Sequence, residues 1–528
     1  MALPPTPSFI DQEPMWTQTI ALTFFTVSAA LSATQSSLFA QDSVQRPAIS
    51  SVSENRRQGF ESIDPDLCKK WLTYLASDEL RGRATGTPGY RKAADFVAAH
   101  FAKHGLKPVG KDGTYFQHVP FFAVGADPKQ TYIAVLGSDG KEMFRVEIGK
   151  GLGGQISENS DKEFEVVSLA AKSAEDVSKD AVTGKAVLFV DKSEAGRRGT
   201  VASRALLRAG AGAILTVDDK AAADVNKRIS SGNRGRNRAL SGRFRSLNSY
   251  AISTAVAGKI RNAMAEQGGA VKLKTHVVIA RHEVFGANVI GLLEGSDPNL
   301  KHEIVGIGSH LDHIGANGQT INNGADDDGS GSTGVLAVVR AFAKNPTKPR
   351  RSILFMCFSG EERGMIGSGY YANNPIFPNK DMIAELQMDM IGRNEEKIDR
   401  VSRAVIEKAE DNVNSLHLVG SEKLSKALHN TCLSINKAHI GFDFEYDEEG
   451  VFYRSDHVKF AQKDIPIAFF FTGFHPQYHR PGDTVEKINF PKLARVAQLV
   501  YSIAFEIGDA DERPKRDRLW KDVPQRRR

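Results

Sequence analysis

Cysteine is scarce: Cys68, Cys357 and Cys432 are the only three in 528 residues. That number excludes a disulfide framework and a zinc-thiolate cluster. Cys357 sits in the apolar run SILFMCF and reads as a small core residue. A Cys68–Cys432 bridge is the one pairing an oxidising compartment would allow. Charge of one sign is also in short supply. The net charge of +6 is small for this length and gives no argument for nucleic acid. Long apolar runs are scarce too. The one long apolar segment, TIALTFFTVSAALSA at 19–33, is roughly fifteen residues, where a span needs about twenty.

That segment fits the hydrophobic part of a secretion signal, with small residues and a cut near Ala33 or Ala40. Its leading region departs from the usual pattern, carrying Asp11 and Glu13 and no Lys or Arg. Export to a periplasmic or extracellular space is the expectation, and an uncleaved membrane anchor is its rival. The composition, 41% hydrophobic and 25% charged, is that of a globular protein, and the length calls for more than one domain.

The chain divides as follows: a leader over 1–40, a polar linker over 41–61, and an N-terminal helical part over 62–125. An insert follows over 126–285, then the main domain over 286–510 and a basic, disordered tail over 511–528. Residues 62–106 predict two helices split by RGRATGTPGYR, the second ending at Gly105. The insert holds the short strand-like runs TYIAVL, KAVLFV, GAILTV and KLKTHVVIA, and 184–218 reads strand, helix, strand. In the main domain the runs 303–309, 352–359, 383–390 and 466–472 predict strands, and helices are expected after Asp328, Glu362 and Phe490. Apolar strands joined by helices predict an α/β fold with a mixed, mostly parallel sheet covered on both faces.

Ionisable residues gather where these strands end. SHLDH supplies His310 and Asp312, Glu361 and Glu362 follow SILFMCFSG, Asp389 closes IAELQMDM, and HPQYHRPGDT supplies His475 and His479. Open α/β sheets build their sites at the carboxyl ends of strands. The stretch NNGADDDGSGSTG at 322–334 adds three adjacent aspartates before a helix. Adjacent like charges raise each other's proton affinity unless a cation lies among them. No Gly-Lys-Ser/Thr follows, so this is not a phosphate loop, and the spacing lacks the alternating ligands of a calcium loop. Imidazoles with several carboxylates suit divalent metals of zinc type. With two ions, one carboxylate must bridge them and another is left free as a general base.

HLDHIG, GADDDGSGSTG, GEERGMIGSGYY, QMDMIG and YHRPGDT resemble, in order and spacing, the motifs of the co-catalytic zinc exopeptidases. That group includes bacterial leucyl aminopeptidases, aminopeptidase Y and glutamate carboxypeptidase. The resemblance covers about 286–508, with the helices of 62–106 similar to the family's N-terminal portion. It implies the zinc exopeptidase fold and two Zn2+, with Mn2+ or Co2+ as substitutes. His310 and Asp389 would hold one ion, Glu362 and His479 the other, and Asp327 would bridge them. Glu361 would be the general base, Asp312 would hydrogen-bond and orient His310, and Tyr478 would steady the oxyanion. A cis peptide is implied at Asp327–Asp328. Residues 160–257 resemble the protease-associated domain often inserted in this family.

The implied function is removal of N-terminal residues from peptides or proteins. The alternatives are a carboxypeptidase or dipeptidase of the same fold, a glutaminyl cyclase using one zinc, and a non-catalytic binding protein. Asp326 and Asp328 are equally explained as helix caps. His313, His457 and His475 have no ligand slot in the family pattern and are expected in orienting or packing roles. Residues 226–246, with seven Lys or Arg and no acid, read as a solvated loop. The motifs do not bear on oligomeric state.

Overall fold

The apolar runs of the second half become neighbouring strands of one sheet. The computed structural model describes residues 52–523 apart from 157, 172–176, 192–204, 224–227, 232–247 and 400–403. The leader at 1–40, the first half of the linker, most of the basic stretch at 226–246 and much of the helix expected within 184–218 lie outside the described residues. In chain order the strands of the sheet are β1 (Lys107–Pro108), β2 (Phe116–His118), β3 (Ala287–Leu293), β4 (Ile304–His310), β5 (Ser352–Phe358), β6 (Met382–Met388), β7 (Ser415–Val419), β8 (Asp443–Glu445) and β9 (Ile467–Phe471). Their order across the sheet is β1-β3-β5-β4-β6-β9-β7-β8, with β2 also on β3. The four central strands β5, β4, β6 and β9 run parallel. β3 and β7 flank them antiparallel, so the sheet is mixed, as the sequence predicts.

Every residue of β3, β4, β5 and β6 is buried. Side chains alternate between faces along a strand. Accordingly Ile353, Phe355 and Cys357 join one core, and Leu354, Met356 and Phe358 join the other. The first core is closed by helices α1 (Glu54–Glu61), α2 (Pro65–Leu75), α3 (Pro88–Lys103), α4 (Gly331–Lys344), α6 (Lys426–Ile435) and α7 (Phe490–Asp509). The second takes Tyr371 from α5 (Ile366–Asn373) together with Phe460 and Phe452. The starts of the helices are written locally. Asp64 caps α2, Thr87 caps α3 and Asn489 caps α7, each with a proline in the first turn.

Four expectations change. Residues 54–61 of the expected linker form α1, because Phe60 is buried in the core and Arg56 pairs with Glu506 at 2.8 Å. Pro88 and Gly89, expected in the break before the second helix, open the first turn of α3, ahead of the expected start at Tyr90. The expected disordered tail is fastened over its described part, 511–523. Asp517 N donates to Leu424 O at 2.8 Å, Trp520 stacks on Phe452, and Val523 is buried. All three cysteines are free and buried, so Cys68 and Cys432 are not bridged.

Within 126–285 lies an eight-stranded sheet with its own apolar cluster. Its strands include Tyr132–Leu136, Ala186–Asp191, Ala213–Val217 and Lys272–Val277, where the short apolar runs predict them. The chain enters through Phe121–Ala126 and leaves through Ile279–Val284. These two segments pair antiparallel, Phe121 against Val284 and Ala126 against Ile279.

Two histidines are buried as neutral rings. His100 meets Leu336 O at 3.0 Å, and His457 stacks on Phe469 with centroids 4.5 Å apart. Burial holds both pKa values down to about 3, against 6.5 for a free ring. Between pH 6.5 and 3 the unfolded chain therefore binds protons that the folded chain refuses, so stability falls as pH drops through that window. The expected outcome for His457→Phe is a shallower fall in Tm from pH 7 to pH 4 than in the parent, measured by thermal denaturation. A parallel fall would reject His457 as a source of acid lability.

Candidate metal centre

Four parallel strands present their carboxyl ends on one edge, and each ends near a ligand-type side chain. His310 is the last residue of β4, and Glu361 and Glu362 follow β5 closely. Asp389 directly follows β6, and the loop after β9 carries His475 and His479. The aspartate triplet lies between β4 and α4. Gly324 opens that turn at φ 61°, and a Cβ there would lie 2.5 Å from the His313 ring and 2.3 Å from Asp327 O. Only glycine lets the imidazole lie this close to the turn. The Asp327–Asp328 peptide is cis.

The five expected ligands come together. Asp327 is central, with Oδ1 3.2 Å from His310 Nε2 and Oδ2 3.0 Å from His479 Nε2. Asp389 Oδ2 is 3.6 Å from His310 Nε2, and Glu362 Oε1 is 3.2 Å from His479 Nε2. His313 also enters, with Nδ1 2.9 Å from Glu362 Oε1 and 3.7 Å from Asp327 Oδ2. Two groups with ligand spacing result, His310–Asp327–Asp389 and His313–Asp327–Glu362, sharing Asp327. Asp327 Oδ2, Glu362 Oε1 and His313 Nδ1 are buried facing one another or His479 without a well-directed hydrogen bond, and His313 Nε2 has no partner. Buried polar atoms of this kind need a partner, and a pair of divalent cations fits these donor types.

The electrostatics point the same way. Burial disfavours the His310 cation, yet the Asp389 and Asp328 carboxylates hold its pKa well above the ordinary imidazole value. Burial likewise acts against the His479 cation, but Asp327 and Glu362 raise it to about 10. Without metal, protons supply the positive charge these carboxylates demand. A metal would displace them, since ligating imidazoles must be neutral.

The neighbouring acids have separate tasks. Asp328 accepts from His310 N at 3.0 Å, Gly331 N at 2.9 Å and Met390 N at 3.1 Å. It therefore caps α4 and also ties two strand ends together. Asp326 accepts from Gly392 N at 2.7 Å and faces His475 Nε2 at 3.4 Å, which gives His475 the supporting role expected of it. Asp312 differs from expectation. His310 Nδ1 meets the Asp312 main-chain carbonyl at 2.9 Å, while the carboxylate accepts the Glu361 N–H at 3.0 Å. The chain turns back after β4, so the carbonyl reaches the imidazole first, and the side chain is left to fix the Glu361 backbone.

The cleft beside the centre occupies about 350 Å³ including its open mouth, and Glu361, Asp389, His310 and His479 line its polar side. Glu361 belongs to neither ligand group. Burial, with the carboxylates of Asp456, Asp389 and Glu362, pushes its pKa well up, against the pull of His310. Met390, Val451, Phe469, Phe471 and Phe474 form an apolar wall. Tyr478 stands at that wall, its ring 3.9 Å from His479, and its hydroxyl accepts from Arg454 Nη2 at 3.1 Å. Ser455, next in the chain, donates to Asp389 Oδ2 at 2.6 Å.

Residues 288–504 match the family model described as Peptidase family M28 and form a domain of that family. Over 222 residues the chain is 28% identical to a probable leucine aminopeptidase of Trichophyton verrucosum (strain HKI 0517), covering 40% of this chain and 56% of the relative. Over 236 residues it is 27% identical to Aminopeptidase YwaD of Bacillus subtilis (strain 168), covering 43% and 46%. The chain thus spans about half the length of the curated relatives it matches. Among solved structures it is similar to BSAP, a zinc aminopeptidase from Bacillus subtilis, at 18% identity and a TM-score of 0.49, covering 87% of this chain and 98% of that one.

His313, Arg454, Ser455, Asp483 and Arg83 carry contacts that the sequence reading did not assign. His313 and Asp483 lie inside quoted motifs, and that was the available signal. Asp483 accepts from Asp326 N and Asp327 N at 3.0 and 3.1 Å. Arg83 had only the glycine-rich stretch around it. Gly82, at φ 69°, lets this turn approach, since a Cβ there would lie 2.2 Å from Asn322 O. Buried Arg83 then donates to Leu75 O, and to Leu311 O, Asn323 O and Gly324 O at 3.0, 2.7 and 2.9 Å. It clamps the turn after His310 to the turn that opens the aspartate triplet. Arg83→Met leaves those carbonyls unpaired and is expected to destabilise the protein by on the order of 3 kcal/mol, read by urea denaturation, and to lower bound metal per chain, read by elemental analysis.

Proposed function

We propose that the chain is an exported, zinc-dependent exopeptidase that removes residues from the N-termini of peptides. One observation carries this reading: two ligand groups share Asp327, while a further carboxylate, Glu361, stands on the cleft wall outside both. His310, Asp327 and Asp389 would hold one ion, and Asp327, Glu362 and His479 the other. Such a pair, when bound, lowers the pKa of a bound water and polarises a peptide carbonyl. Glu361 accepts the proton of the attacking water on its carboxylate and delivers it to the departing amine. Its backbone is fixed by Asp312, whose carboxylate accepts the Glu361 N–H. The Tyr478 hydroxyl, held by Arg454, is the donor available to the carbonyl oxygen. The apolar wall receives the side chain of the residue removed.

Export rests on the apolar segment at 19–33; among the described residues no helix is long and apolar enough to cross a membrane. The strand-rich insert is read as a protease-associated domain that shapes substrate access.

Glu361→Gln is expected to retain two metal ions per chain, by elemental analysis, while kcat on aminoacyl-p-nitroanilides falls by about 10²- to 10⁴-fold. Undiminished turnover would remove Glu361 from the base role. Incubation with a chelator should abolish activity, and zinc should restore it.

One observation favours a second reading, a dipeptidase or carboxypeptidase. Arg454 lines the cleft with no carboxylate partner among the described residues, its guanidinium 4.9 Å from the Phe474 ring centroid. A free carboxylate on a short substrate would match it. Capped peptides separate the two: N-acetylation should abolish cleavage by an aminopeptidase, and C-terminal amidation should abolish it in the second case.

A further inference from the structure

The resemblance that supplies five ligands has no slot for His313, yet this ring is buried among them. Its side chain is fully enclosed, Nε2 has no hydrogen-bond partner, and Nδ1 lies 2.9 Å from Glu362 Oε1. Nδ1 faces the same two oxygens that His479 Nε2 faces. We propose that His313 is a fourth protein ligand on the Glu362 side of the centre, making that half a closed two-histidine, two-carboxylate site for a divalent cation of zinc type. The inference rests on the metal reading above and goes beyond it in the count and asymmetry of the ligands.

The distances carry the argument. Four ligands about 2.0–2.1 Å from a tetrahedral zinc are separated by about 3.3–3.4 Å. Around this half, Glu362 Oε1 is 2.9 Å from His313 Nδ1 and 3.2 Å from His479 Nε2. Asp327 Oδ2 is 3.7 Å from His313 Nδ1 and 3.0 Å from His479 Nε2. These four separations bracket the tetrahedral value. A hydrogen bond from His313 to Glu362 alone would not account for the approach of the same nitrogen to Asp327 Oδ2 at 3.7 Å. The ring packs close to Gly324, where an added Cβ would lie 2.5 Å from it.

The other half offers three side chains, His310, Asp327 and Asp389, with separations of 3.2 and 3.6 Å from the imidazole. A four-ligand site is the structural type and a three-ligand site keeps a position open. The Glu362 half therefore fills first and holds its ion more tightly. The His310 half, which lines the cleft together with Glu361, keeps the exchangeable position.

The test is Co2+ titration of the full chain after chelator treatment, followed by visible absorption and calorimetry. The parent is expected to bind two ions, the first with the intense visible bands of tetrahedral cobalt. His313→Ala should weaken one of the two binding events by at least about tenfold and reduce those bands, leaving the other event unchanged. His313→Cys supplies a ligand of different colour, so loading should produce a near-ultraviolet thiolate-to-cobalt band that the parent lacks. Two unchanged affinities in His313→Ala, or cobalt loading of His313→Cys without that band, would overturn the inference while leaving the two-metal reading intact. A parent that binds no cobalt would overturn both.

Discussion

Asp327 is a carboxylate almost wholly withdrawn from water, with imidazole nitrogens 3.2 and 3.0 Å from its two oxygens. Taking one such anion into a protein interior forfeits several kcal/mol of solvation. Here Asp326, Asp328 and Asp389 are buried beside it. Much of the surrounding structure answers that concentration of negative charge. Backbone N–H groups of Gly331, Met390 and Gly392 turn inward to it. Arg83 brings a permanent cation beneath the ligand loops. His310 and His479 are driven toward their protonated forms until something better charged arrives. The same arrangement explains why these acids sit at strand ends: only there can four separate segments be brought within a few ångströms and still be held by a rigid sheet.

The cleft divides chemically along one short turn. Arg454 and Ser455 are consecutive, yet they face different duties. Ser455 steadies Asp389 on the charged side, and Arg454 leans on Phe474 and Tyr478 on the apolar side. A shift of this turn would therefore disturb ligand geometry and pocket shape together. Tyr478 lies in the same relation to the loop after β9, since its ring is stacked on the neighbouring His479. The cleft wall and the ligand geometry thus share their supports.

Much of this was legible in the chain itself. The strands β4, β5, β6 and β9 announce themselves because burial on both faces leaves uninterrupted apolar runs. Their terminal acids and imidazoles stand out for the same reason, as charge placed directly against such a run. What was hidden depends on contacts distant in sequence. Arg83 and Gly324 are 241 residues apart, and no local pattern says that a guanidinium will clamp a distant loop. His313 looked ordinary because its meaning comes from Glu362, on another strand's end. The tail read as disordered because its basic composition outweighs Trp520 and Val523, whose partners at Phe452 and nearby lie far upstream. Asp312 was expected to meet His310 through its carboxylate, and only the turn after β4 decides that the carbonyl does so instead.

The paired crossings at Phe121–Ala126 and Ile279–Val284 bring the two ends of a long excursion side by side, with Phe121 opposite Val284. For the remainder of the chain that excursion has the geometry of a hairpin tip, whatever its length. Both ends of the intervening segment are therefore anchored at one place, and its attachment to the remainder of the chain runs through two adjoining strands.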